Sequence, residues 1–239
     1  MRAVFVFAIS LVIVAAGTAR AGDAPGQRYE RRQIEGWTVY INDRLLDRAH
    51  HDLGEETIKL LGDHLYRIAR VIPAEPLARL RQVRIWVELD NGFPTAMCYH
   101  VDVGWLRENG YNTNKARAVE ISSARKFLDW THTQPWMVLH ELAHAYHDQV
   151  LGFDNAEVRA CYERAVASKT YESVLHVNGG TRRAYALENE REYFAEATEA
   201  FFGTNDFYPF VRGELKKHDP RMFELLEKVW EVRRPVQKQ

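Results

Sequence analysis

Residues His140 to Asp148, HELAHAYHD, put three histidines, a glutamate and an aspartate into nine residues, directly after the apolar PWMVL. On an α-helix, side chains four apart differ by roughly 40° in direction, so His140 and His144 project from one face, one turn apart. Two imidazoles so placed can hold one zinc ion, and Glu141, beside the first, can reach a water at that ion. The neighbours Met137, Val138, Leu142, Ala143, Ala145 and Tyr146 carry no charge, as a helix buried under a cleft requires. His147 lies near the same face but about 10.5 Å from His140 along the axis, too far for three rings to meet at one ion. It is expected to pack or hydrogen-bond nearby. The longer HExxHxxGxxH pattern fails, because position 147 is His where Gly is needed and position 150 is Val.

A catalytic zinc takes three protein ligands and keeps one position open, so a third ligand must come from elsewhere in the chain. The stretch YALENEREYFAEATEAFF, Tyr185 to Phe202, places Glu188, Glu192, Glu196 and Glu199 on one helical stripe beside Phe194, Phe201 and Phe202. Burying such carboxylates is costly unless a cation or hydrogen-bond donors compensate. Glu192 is the expected ligand, with Glu196, one turn on, hydrogen-bonding a liganding histidine and fixing its tautomer. A closed structural site with four protein ligands is the alternative, and His147, Asp148 or Glu188 could then supply the fourth.

The elements that must position these residues follow from the rest of the chain. Its 239 residues are enough for one domain with a substantial core, and 32 basic against 33 acidic side chains create no bulk field that would recruit nucleic acid or anionic lipid. Arg2, an apolar run from Ala3 to Ala16 and the small-residue pattern Ala19-Arg20-Ala21 have the order of a secretory signal and are short for a membrane span. Residues 1–21 are therefore expected to be cleaved, leaving residues 22–239 as a single domain that is secreted or periplasmic and not inserted in the membrane. Cys98 and Cys161 are the only cysteines, and either one disulfide or two free thiols fits an exported chain.

After a polar leader around GDAPGQRYERR, strand content appears in IEGWTVYIN from Ile34, in VRIWVEL (83–89) and in AVEIS (118–122). A helix is expected from about Gly54 to Ile72, stopped by PAEP. Later helices are expected from a Thr133 cap, with Pro135 in the first turn, to about Val150, then over 155–168, over 189–202 with Asn189 as cap, and over 219–231. Strands to about residue 130 and helices over 131–239 indicate an α+β domain, with a small sheet followed by a mostly helical half that carries the HExxH helix. No alternating βαβ series is visible, and Gly179-Gly180 reads as a plain turn.

HELAH at 140–144, followed by Tyr185 and then Asn189-Glu190-Arg191-Glu192-Tyr193-Phe194-Ala195-Glu196, resembles the catalytic domain of anthrax lethal factor and its relatives, zinc metallopeptidases of the gluzincin group. The resemblance is specific over these two segments, extends loosely over 134–226 and says little about 22–115. It implies a zincin-like fold with Zn2+ held by His140, His144 and Glu192. It further implies Glu141 as general base, Tyr185 as the hydroxyl supporting the oxyanion, and a peptide or protein substrate. AVEIS, by the same geometry, is expected to pair with an extended substrate. A catalytically silent exported protein that binds zinc or peptide is the competing expectation. The separate binding domains of the toxin have no counterpart here, so its target does not carry over.

Overall fold

The computed structural model of the protein describes residues 26–232, so the expected signal segment lies outside the described residues. Tyr29–Ile34 (β1) and Trp37–Asn42 (β2) form an antiparallel hairpin, turned by Glu35 and Gly36 at φ of 50° and 92°. The end of the supposed polar leader is thus an edge strand. His51–Val71 (α1) and Ala74–Leu80 (α2) lead to Ile85–Val87 (β3), then Met97–His100 (β4), Val103–Glu108 (α3) and Ala118–Ile121 (β5). Ala124–Trp130 (α4), Met137–Tyr146 (α5) and Ala156–Ser168 (α6) follow, then the short hairpin Val174–Leu175 (β6) and Thr181–Arg182 (β7). Glu190–Phe202 (α7), Arg212–His218 (α8) and Pro220–Val229 (α9) complete the helical half.

The main sheet has the order β1-β2-β3-β5-β4. Its two central pairs, β2/β3 and β3/β5, are parallel, whereas β1/β2 and β4/β5 are antiparallel. The architecture is α+β with a small mixed sheet and a mostly helical C-terminal half, as the sequence implies. The parallel pairing was not expected. It arises because α1 and α2 form a crossover that returns the chain to β3 beside β2, the connection a parallel pair needs. PAEP does not simply stop α1 but opens α2, with Pro73 at its N-cap position.

Alternation along the strands sorts the sheet into two unlike faces. Trp37, Val39, Ile41, Ile85, Val87, Met97, Tyr99, Val119 and Ile121 point into the core beneath the helices. Tyr40, Trp86, Glu120, Cys98 and His100 occupy the opposite face. There Lys115 is fully buried and reaches Glu88 Oε1 at 2.7 Å and Glu120 Oε1 at 2.5 Å. Glu88 also accepts from Tyr29 and Asn42, and Asn91 Nδ2 donates to Glu120.

The HExxH helix begins later than its cap signal suggests. Trp136, not Thr133, is the N-cap of α5. The regular α-helix stops at Tyr146, and His147–Leu151 form one wider π turn closed by Gly152 at φ 81°. α7 obeys its cap signal: the Asn189 side chain accepts from the backbone of Arg191 and Glu192. The two helices are packed on each other, and at one end Gly203 lies flat against Trp136, where any Cβ would overlap the indole. Gly179 and Gly180 turn the β6/β7 hairpin at φ of 84° and 73°, the plain turn expected of them. Cys98 and Cys161 are both free thiols.

Candidate metal centre

α5 is apolar on nearly every side, with Val138, Leu139, Leu142, Ala143 and Ala145 fully buried, so it lies in the middle of the core and not on the surface. That burial fixes the direction of His140 and His144, whose rings meet edge-to-face with centroids 4.7 Å apart. α7 brings Glu192 to them from its first turn, where the Asn189 cap and the positive end of the helix stabilise a carboxylate. Glu192 Oε2 lies 3.0 Å from His140 Nε2 and 3.3 Å from His144 Nε2. Donor atoms of the three side chains all fall within 4.8 Å of one another. Two imidazole nitrogens and one carboxylate oxygen are a ligand set suited to zinc.

Behind this triad is a second layer of carboxylates. His140 Nδ1 pairs with Glu199 Oε1 at 2.7 Å, whereas Glu196 Oε1 is 3.9 Å away. The role expected of Glu196 therefore falls to Glu199: the crossing of α5 and α7 carries His140 one turn further along the acidic stripe. Glu196 instead accepts from Asn205 Nδ2 at 3.0 Å, and Asp206 is nearby, 3.5 Å from Gln134 Nε2 and 3.7 Å from His176 Nε2. Glu199 and Asp206 are the residues of this centre that the sequence reading did not single out. Glu199 had a signal in its place on the stripe; Asp206, in a loop, had none.

The electrostatics are one-sided. Glu192, Glu196, Glu199 and Asp206 are each about 4% exposed, and among the described residues no lysine or arginine pairs with any of them. Burial alone would raise Glu192, but the adjacent His144 and the hydrogen bonds from both histidines outweigh it and hold the carboxyl below the usual range. Burial would likewise depress His140, yet its bonds to Glu192 and Glu199 push it well above its ordinary value. Glu196 is pushed well up, first by burial and then by Asp206 and Glu199. The histidines thus serve as the only counter-charge for a buried acidic cluster, the situation a bound dication relieves.

Glu141 and Tyr185 are both half-buried, as is His140, so these three border solvent while His144 and Glu192 are buried. Tyr185 starts a short turn at Tyr185–Leu187, and its ring centroid is 6.4 Å from that of His140 with the planes 28° apart. The three candidate fourth ligands point elsewhere. His147 packs between Phe153 and Phe194, with both ring nitrogens buried and unpartnered, and burial lowers it to about 4. Asp148 accepts from Tyr99 at 2.6 Å, and Glu188 is exposed and pairs with Arg183. AVEIS also changes role: β5 is flanked by β3 and β4, and β4 is the strand at the sheet's edge.

An α+β domain with an HExxH helix under a mixed sheet, completed by a glutamate from a later helix, defines the class of protein. The model of the family described as anthrax toxin lethal factor, N- and C-terminal domain, matches residues 89–229, more than half of the chain. The protein belongs to this lethal-factor family. No curated protein and no solved structure matches the chain. No helix among the described residues is long and apolar enough to cross a membrane.

Proposed function

We propose that the protein is an exported zinc metallopeptidase of the gluzincin type, a single domain over residues 22–239 that cleaves peptide bonds in a peptide or protein substrate. The observation that carries this reading is the convergence of His140, His144 and Glu192 in a buried acidic cluster that, among the described residues, has no lysine or arginine partner. One continuous apolar core from Trp37 to Trp230 supports the single domain. Export rests on the composition of residues 1–21.

His140, His144 and Glu192 would hold the zinc, which supplies a Lewis acid that polarises a carbonyl and makes water acidic enough to deprotonate near neutral pH. Glu199 accepts the Nδ1 proton of His140, so Nε2 is left to face the ion. Glu141, on the solvent side of α5, takes a proton from the attacking water and passes it to the leaving amine. Tyr185 donates its hydroxyl proton to the developing oxyanion, an interaction whose loss costs about 3 kcal/mol in comparable sites. The outer edge of β4 presents backbone groups to an extended substrate, next to α5.

The test is Glu141→Gln, assayed by metal analysis together with cleavage of an unbiased peptide library. The variant is expected to keep one zinc at this centre and to lose hydrolysis. Full activity in it would remove Glu141 from the mechanism. Zinc retained by a wild-type protein that cleaves nothing in the library would favour the silent zinc- or peptide-binding alternative.

A further inference from the structure

The outer face of the sheet carries a second set of potential ligands that the peptidase reading does not use. Cys98 and His100 are alternate residues of β4 and so share a face, and Glu120 of β5 is the register partner of Cys98. One donor atom from each of the three side chains lies within 4.8 Å of the others. His100 Nε2 stands between the other two, 2.6 Å from Glu120 Oε2 and 3.5 Å from Cys98 Sγ. Lys115 and Asn91 hold the other oxygen, Oε1, at 2.5 and 2.9 Å, which fixes the carboxylate and leaves Oε2 directed at the histidine. Phe93 and Tyr111 wall the imidazole, with centroids 5.7 and 6.4 Å away. Glu120 is fully buried and His100 nearly so, while Cys98 is part-exposed, which provides an entry path.

We propose that Cys98, His100 and Glu120 form a second metal site, specific for a thiophilic divalent cation such as zinc, cobalt or cadmium. One sulfur, one imidazole and one carboxylate are a donor set that favours such ions over magnesium or calcium. On binding, the thiol proton leaves for solvent as the sulfur–metal bond forms, and the proton that Nε2 shares with Oε2 passes through solvent to Nδ1, which leaves a neutral imidazole with its Nε2 lone pair free for the cation. Charge then balances: Glu88, Glu120 and the thiolate offset Lys115 and the dication. Without a cation the thiol has no reason to ionise, since burial, Glu120 and Glu141 all push it up. The site lies on β4, an edge strand of the sheet that packs next to α5. It is independent of the first centre, which contains no sulfur.

Cobalt distinguishes the two, because thiolate-to-cobalt charge transfer gives a near-ultraviolet band that a His, His, Glu site cannot produce. The protein over residues 22–239, stripped by chelator and titrated with Co2+, is expected to take two equivalents, one of which develops the band. C98S should lose the band and one equivalent, and Glu192→Ala should lose the other equivalent and keep the band. Alkylation of the folded wild type provides a check free of folding defects: metal should slow modification of Cys98 at least tenfold and leave Cys161 unaffected. A wild type with no band, a band that survives in C98S, or a Cys98 reactivity indifferent to metal would each overturn the site. A band with no second equivalent would sink the peptidase centre and leave this one standing.

Discussion

Two buried clusters of ionisable groups lie on opposite sides of the same sheet. On the outer face Glu88 and Glu120 are paired with a lysine that the chain itself provides, and every carboxylate oxygen of the pair has a donor. Lys115 and His100 hold Glu120 below the usual carboxylate range although burial alone would raise it. Under the inner face Glu192, Glu196, Glu199 and Asp206 have only histidines and neutral donors around them. The carboxylates of both clusters are buried, so the difference is one of counter-charge. On the outer face the chain supplies a fixed cation, Lys115, whereas among the described residues the inner carboxylates have no lysine or arginine partner.

Removing the internal cation is the most severe way to break this contrast. Lys115→Met should destabilise the protein by roughly 3–5 kcal/mol in urea unfolding, since one partner of a buried pair is lost and the carboxylates stay. The loss should be read on metal-stripped protein, where no ion at Cys98, His100 and Glu120 offsets it. Chelation is the matching experiment inside: if zinc is present at about a thousand times its dissociation constant, stripping it should cost about 4 kcal/mol, visible as a lower melting temperature. An unchanged melting curve after stripping would remove the difference between the clusters.

Smaller effects sharpen the comparison. Glu199→Gln should weaken zinc affinity about 10- to 100-fold through loss of the His140 contact. Glu196→Gln should weaken it less, and the opposite order in equilibrium dialysis would restore Glu196 as the positioning residue. Confined to low pH is the effect of His64, buried in α1, which burial and then Arg67 lower from 6.5 to about 4. The unfolded chain takes up this proton first, so the stability it withholds is intact above pH 6.5 and is lost as pH falls toward 4. By pH 5 the loss should be roughly 2 kcal/mol, and His64→Leu should flatten that limb of the pH–stability curve.

Much of the centre was legible because helical spacing is a local property. His140 and His144 needed only a helix, and α7 announced itself through Asn189 and its alternation of aromatic and acidic residues. What was not legible depends on how elements meet. Glu199 is seven residues after Glu192 and returns to within about 20° of its direction, against about 40° for Glu196, yet only the crossing with α5 decides which one reaches His140. Cys98 and His100 share a strand face by their spacing, but that Glu120 faces them follows from a register that no local pattern encodes. The π turn at His147 and the parallel pairing through β3 are of the same kind: they answer to tertiary packing.

Gly203 stands about three helical turns beyond Glu192 and has no functional group, yet it governs how near α7 approaches α5 at Trp136. Any larger residue there acts as a wedge between the two helices. The opening it forces is transmitted along rigid rods to the donor atoms at the other end, widening the bite of the ligand set. A larger residue at 203 is therefore expected to shift the relative affinities of the protein for small and large divalent ions, which titration with zinc and cadmium would measure.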